Sequence, residues 1–332
     1  TVIVIIGILA SLITAAAIAA RTKAREGAVK AELTQLEMAV ENYKIQFGEY
    51  PPDFADINPN LGSGRLIDTD AVERHIKRRW PRYNYTSQGS IWAQFAYDLA
   101  QNYGLDAANF DASVGLIIWL GGLPETAPAA GEKWRPAGFH SDPTAPFKPG
   151  GPRTEALYDF KEDRLIFDSA SRVLRYYPFD TPQAADPPFV YFRSQRVKLT
   201  SGTTTKYRYE YGTVQGTAFV PKFYMHNGDI ANVASPILDS NPDAPPDATY
   251  LTEAVKPLPA KPDTFRSWRA AEKFQILCAG MDKLYGVGGS SANTVDPSKL
   301  IRYSRTGFNF STEGEDRDNL ANFSNGRLED EL

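Results

Sequence analysis

The sequence predicts an α+β protein. A long N-terminal α-helix, transmembrane in character and then amphipathic, joins a C-terminal globular domain with antiparallel β-sheet and long loops. Three observations predict it. Residues 1–20 carry no charge, apolar positions keep helical spacing from there to residue 47, and beyond residue 53 short apolar and aromatic runs alternate with proline- and glycine-rich spans.

Composition bounds the function. At roughly 150 residues per domain, 332 residues supply one large unit or two compact ones. With 42% hydrophobic and 23% charged residues and a formal charge of −4, wholesale disorder is excluded. So is a polybasic nucleic-acid binder, because the longest basic cluster, His75-Ile76-Lys77-Arg78-Arg79, is too short to neutralise a run of phosphates. Cys278 is the single cysteine, which excludes an intramolecular disulfide and a thiolate zinc site.

The stretch Thr1 to Ala20, TVIVIIGILASLITAAAIAA, can hydrogen-bond through the side chains of Thr1, Ser11 and Thr14 only. As a helix it spans about 30 Å, the thickness of a bilayer core, while satisfying its own backbone. The helical pattern then continues past the water boundary. Val29, Leu33, Leu36, Val40, Tyr43 and Phe47 form one apolar stripe, predicted to pack against the head. The first proline is Pro51, shortly after Gly48, so the expected rod is roughly 70 Å long. A cleavable signal peptide, a plain signal anchor with a stalk and a helix buried in a soluble fold are the competing readings. The first should have a shorter apolar region and a basic flank before it, and the second leaves the stripe without a partner. Because the chain begins at Thr1 rather than Met, it reads as processed or trimmed.

These residues carry a resemblance. Val2-Ile3-Val4-Ile5-Ile6-Gly7-Ile8-Leu9-Ala10, Ala24-Arg25, Leu33 to Tyr43 and Gly48-Glu49-Tyr50-Pro51-Pro52-Asp53 resemble the first helix of type IV pilins. They resemble type II secretion major pseudopilins more closely, in which a Gly-x-Tyr-Pro segment opens the globular domain. The resemblance implies a homopolymer whose helices pack in a filament core through Ile3, Ile6, Gly7, Leu9, Ala10, Leu12, Ile13, Ala16 and Ala17. It also implies residence in the inner membrane before assembly and in a periplasmic or extracellular filament afterwards. The implied partners are a prepilin peptidase and an inner-membrane assembly platform. A short N-methylated terminus bearing the family's glutamate would precede Thr1. Gly7 weakens the helix by about 1 kcal/mol relative to Ala, and the chain near it is expected to extend or melt on assembly. Arg21, Lys23 and Arg25 would by the positive-inside rule face the cytoplasm, the reverse of the family's topology, which is preferred here. Those three basic residues are read as solvated surface charges, or as partners for Glu26, Glu32 or Glu37 of neighbouring copies.

A second resemblance lies near the C-terminus. Phe274 to Asp282 reads as a strand running into a glycine turn, followed by Tyr285-Gly286-Val287-Gly288-Gly289 and later by Gly314 to Phe323. Together they are similar to the calcium loop of major pseudopilins. That implies Asp282, Asp316 and Asp318 as calcium ligands, with main-chain carbonyls around Leu284 to Gly286. Calcium takes about six to eight hard oxygens, which carboxylates and glycine-rich backbone can supply. One extra residue between Asp318 and Asn322 and a long insertion depart from the family pattern, and acids exposed on a terminal loop are the alternative.

Within the head, Ile91, Phe95, Leu99 and Ala100 predict a helix from about Ser90 to Tyr103, and Val114 to Leu120 reads as core. Strands are expected at Leu165 to Asp168, Val173 to Tyr177, Phe189 to Leu199 and Lys206 to Tyr211, the last presenting Tyr207, Tyr209 and Tyr211 as a half-buried edge. Leu123 to Pro152 and Pro236 to Pro262 read as loops, the second carrying the solvated Asp239, Asp243 and Asp247. Cys278 is expected in the core. His75, His140 and His226 have no ligand spacing, and no nucleophile elbow, phosphate loop or dinucleotide fingerprint occurs, so no enzyme is expected. The expected organisation is a helix over 1–50 and a head over 51–332, enlarged over 53–263, with the calcium-loop region over 264–332. The resulting functional expectation is a polymerising structural subunit; a membrane-tethered minor pilin or adhesin-type binding module is the alternative.

Overall fold

The computed structural model describes residues 2–58, 65–129, 132–179, 182, 186–201, 204–215, 218–229, 232–238, 270, 272–286, 289–291, 294–295, 302–303 and 318–328. The chain is α+β, as expected: a long N-terminal helix followed by a region of small, mostly antiparallel sheets. Helix α1 runs unbroken over Val2–Phe47, about 70 Å at the usual rise per residue. It stops at Gly48, whose φ of +80° suits glycine and whose N–H closes the last turn on the Lys44 carbonyl at 2.7 Å.

Val29, Leu33, Leu36, Val40 and Tyr43 are all buried against the head and Phe47 packs partly against the same core, so the stripe read from the spacing is the helix-to-head seam. Against it packs α2, Thr69–Arg79, a helix where the sequence pattern shows only a basic cluster. Asp68 caps it by accepting from the Ala71 N–H at 2.9 Å, Val72, His75 and Ile76 turn inward, and Lys77, Arg78 and Arg79 sit at the dipole's negative end. Helix α3, Ile91–Tyr103, lies where its pattern predicted, capped by Ser90 at one end and by the left-handed Gly104 at the other.

Val114 to Leu120 is core, with Ile117–Gly121 wound as a buried π-helical turn. The proline-rich span behind it is packed. Gly122 and Gly138 bridge at φ of +77° and +78°, and a Cβ on Gly122 would lie 2.3 Å from the Gly138 carbonyl oxygen, so two glycines are what let these backbones touch. Phe54, Phe95 and Trp119 stack with centroids 5.9–6.4 Å apart and tie the chain leaving α1 to α3 and this turn.

The central sheet has three antiparallel strands: Phe274–Cys278 in the middle, flanked by Val190–Arg193 and Leu320–Ala321. Cys278 is fully buried in it. The expected strands Leu165–Asp168 and Val173–Tyr176 pair antiparallel as a hairpin. Two strand expectations need correction. The run from Phe189 splits at Ser194, which donates to the Lys273 carbonyl, into a core strand and a hairpin strand, Gln195–Ser201, paired with Thr204–Glu210. Tyr207 and Tyr209 are exposed rather than half-buried, whereas Tyr211 lies past the strand's end, buried and bonded to the Ala270 carbonyl. Most of Pro236 to Pro262, with Asp239, Asp243 and Asp247, lies outside the described residues.

Candidate functional site: the apolar rod and the C-terminal turn

Every residue from Val2 to Ala20 is exposed along α1, Ile3 at 84% and Leu9 at 53%. The nine residues assigned to filament packing all belong to this stretch, which has a mean hydropathy of 2.8. Gly7 is helical here, with open space around it. The rod is long and apolar enough to cross a membrane. Nothing in the described head covers it.

Where the rod meets the head, charges replace the grease. Glu26 accepts from Arg327 Nε at 2.8 Å and from Lys23 at 3.0 Å. Burial pushes its carboxyl up, but the hydrogen bonds from Arg327 and Lys23 outweigh this and hold it below its ordinary value. Lys30 reaches the carbonyls of Ala321 and Asn322 at 2.8 and 3.2 Å. Glu32 is buried between the Arg164 guanidinium and the hydroxyls of Tyr158 and Tyr176. Glu26 and Glu32 are therefore neither solvated nor offered to neighbouring copies. Each faces its own head, because it falls three residues before Val29 or four before Leu36 and so on the seam. That spacing is the signal by which the sequence could have shown them.

At the far end of α1, His75 is 2.6 Å from the Tyr43 hydroxyl through Nε2 and 2.9 Å from Glu49 through Nδ1, while Arg79 donates to Tyr43 and Arg193 to Glu49. Burial lowers the His75 pKa below its usual value despite Glu49. Burial alone would raise Glu49, but its bonds to His75 and Arg193 bring it down to about 2. His140 and His226 lie in separate local networks.

The C-terminal turn brings Asp318 onto Gly280. Asp318 Oδ2 accepts from the Met281 and Asp282 N–H groups at 2.6 and 3.3 Å, and a Cβ at Gly280 would lie 2.1 Å from the Asp318 carboxyl carbon. Its Oδ1 is buried without a hydrogen-bond partner among the described residues. Asn319 clamps the turn, accepting from Gly280 N–H and donating to the Tyr285 carbonyl. Asp282 is exposed, with Oδ1 on the Leu284 N–H. Of the carbonyls implied as ligands, Tyr285 and Gly286 already accept from Asn319 and Val233. Asp316 lies outside the described residues, and among those residues no group of three or more His, Cys, Asp or Glu side chains is placed to hold a metal. The turn thus holds one buried carboxylate oxygen without a hydrogen-bond partner among the described residues, beside Gly280. Comparisons of the chain with protein-family models, with curated proteins and with solved structures find no significant match.

Proposed function

We propose that this chain is the structural subunit of a type IV pilus-like or type II secretion pseudopilus filament, polymerising through the first half of α1. One observation carries the reading. Residues 2–20 are helical, uncharged and exposed, while the same helix from Glu26 onward is fastened to the head. An apolar rod held at one end only can exchange lipid for copies of itself without disturbing the head. On this reading the subunit waits in the inner membrane, is processed by a prepilin peptidase, and is extracted by an assembly platform into a periplasmic or extracellular fibre. No catalytic role is assigned to it.

Electron microscopy of sheared cell-surface material, with gold-labelled antibody to the head, tests this. Labelling along whole fibres is the expected result. Label confined to fibre tips, or to monomers in the membrane fraction, would replace the reading with that of a tethered binding module.

Calcium at the C-terminal turn belongs to the same proposal, with Asp318 Oδ1 as the first ligand and Asp316 and Asp282 completing the set. A bound ion would offset two of these three negative charges and tie the two chain segments together. Calcium at about one hundred times its Kd should then stabilise the head by about 2.7 kcal/mol. Asp318→Asn should abolish that shift; a melting temperature indifferent to calcium removes the ion from the proposal and leaves the filament untouched.

A further inference from the structure

The head carries a cleft that neither the rod nor the C-terminal turn uses. Between the start of α2, the chain leaving α1 and the strand Gln195–Ser201 lies an open space of about 670 Å3, a size common among ligand sites. Its floor is internally satisfied. Lys222 is buried and donates to Asp53 at 2.7 Å and to the Arg193 carbonyl at 2.8 Å. The walls are not. Arg74 and Arg196 line the cleft, are exposed, and have no carboxylate partner among the described residues. Arg196 instead lies over the Tyr207 ring at 4.4 Å. Tyr209 lines the same wall with 41% of its surface exposed. Arg74 is also a wall of a second, smaller cleft of about 390 Å3, which adds Lys77 and another exposed tyrosine, Tyr85. Exposed guanidinium groups without a carboxylate partner among the described residues, and exposed tyrosines, thus line two adjoining clefts of a chain whose formal charge is −4.

We infer that these two clefts, joined at Arg74, bind an acidic oligosaccharide. Guanidinium forks match carboxylates two bonds at a time, and tyrosine faces accept the apolar faces of sugar rings while remaining wet at the hydroxyl. The acids interleaved with the arginines decide against a nucleic acid. Asp68, Asp70 and Glu73 line the same clefts, where they would repel a backbone charged at every unit but can accept hydrogen bonds from sugar hydroxyls. Uronate carboxylates would sit on Arg74 and Arg196, with rings against Tyr209 and Tyr85. The site belongs to the head and does not depend on whether the subunit polymerises.

The test titrates the full chain in neutral detergent micelles with a fluorescently labelled oligosaccharide in which uronate and neutral sugar units alternate, a neutral oligosaccharide of the same length, and an oligonucleotide of matched charge. The uronide should bind at least tenfold tighter than the neutral sugar and weaken as salt rises. Arg74→Ala and Arg196→Ala should each weaken it roughly tenfold with the melting temperature unchanged, and Tyr209→Ala should weaken both sugars. Equal binding of the two sugars, indifference to the arginine substitutions, or an oligonucleotide that binds more tightly and is lost with the same substitutions would overturn the inference.

Discussion

Residues 2–20 and residues 29–43 belong to one uninterrupted helix, yet they live by different rules. The first segment has backbone hydrogen bonds and is exposed throughout among the described residues; the second gives up Val29, Leu33, Leu36, Val40 and Tyr43 to the head core. An apolar helix gains most of its stability from burial rather than from propensity. At about 25 cal/mol per Å2 of apolar surface, covering the exposed segment would be favourable, whereas the buried one is already covered by its own chain. Continuity of the helix therefore comes from the absence of a breaker before Gly48, not from a shared reason for being apolar. Substitutions should separate the halves cleanly.

The most complete effect, loss of the chain from its compartment, is expected at the rod's centre. Leu9→Arg places a charge where insertion costs about 2.5–3.5 kcal/mol, and should empty both the membrane fraction and the fibres while leaving the head's melting temperature within error. A head that loses stability with this change would mean that the two halves are not independent. Next comes the buried pair on the seam. Glu32 and Arg164 have side chains 8% and 4% exposed, so Glu32→Ala strands the guanidinium and should cost about 3–5 kcal/mol, measured by denaturant unfolding. Leu36→Ala, fully buried one turn further on, should cost about 2–5 kcal/mol through its cavity. Neither should alter how an unfolded but intact rod partitions into membranes.

The same contrast explains what could be read in the sequence. Burial at the period of a helix is a local pattern, so the stripe and α3 were legible residue by residue. Helix α2 was not, because in TDAVERHIKRR the inward positions Val72, His75 and Ile76 are outnumbered by charges that read as a basic cluster. The split at Ser194 and the burial of Glu32 depend on partners such as Lys273 and Arg164, more than a hundred residues away in the second case, and no window on the chain contains both members. The Asp318–Gly280 contact was not legible, since an acid beside a distant glycine has no spacing of its own.

A smaller, graded effect is expected from pH. His75 is held neutral by burial, so its folded pKa lies below its ordinary 6.5 and the unfolded chain takes up the proton first. Its contribution is complete above pH 6.5 and is lost as pH falls below it. Glu49, at about 2 in the fold against an ordinary 4.5, contributes fully above pH 4.5 and loses that contribution between 4.5 and 2. The head's melting temperature should therefore decline below pH 6.5 and again below 4.5, and His75→Phe should flatten the first decline. Residues 2–20 hold no titratable side chain, so the rod's membrane partition should stay level over the same range.

The smallest effect locates the border between the halves. Glu26 is the first buried position of α1, and its partner Arg327 keeps a side chain 25% exposed. A pair this close to solvent couples by about 0.2–1 kcal/mol, so Glu26→Ala and Arg327→Ala should each lower stability slightly and their double-mutant cycle should return a coupling in that range. A coupling near its upper end means that the head grips α1 from Glu26, through the segment that also sends the Ala321 and Asn322 carbonyls to Lys30. A coupling of zero moves the first energetic contact to Val29 and frees nearly another turn of helix to act with the rod.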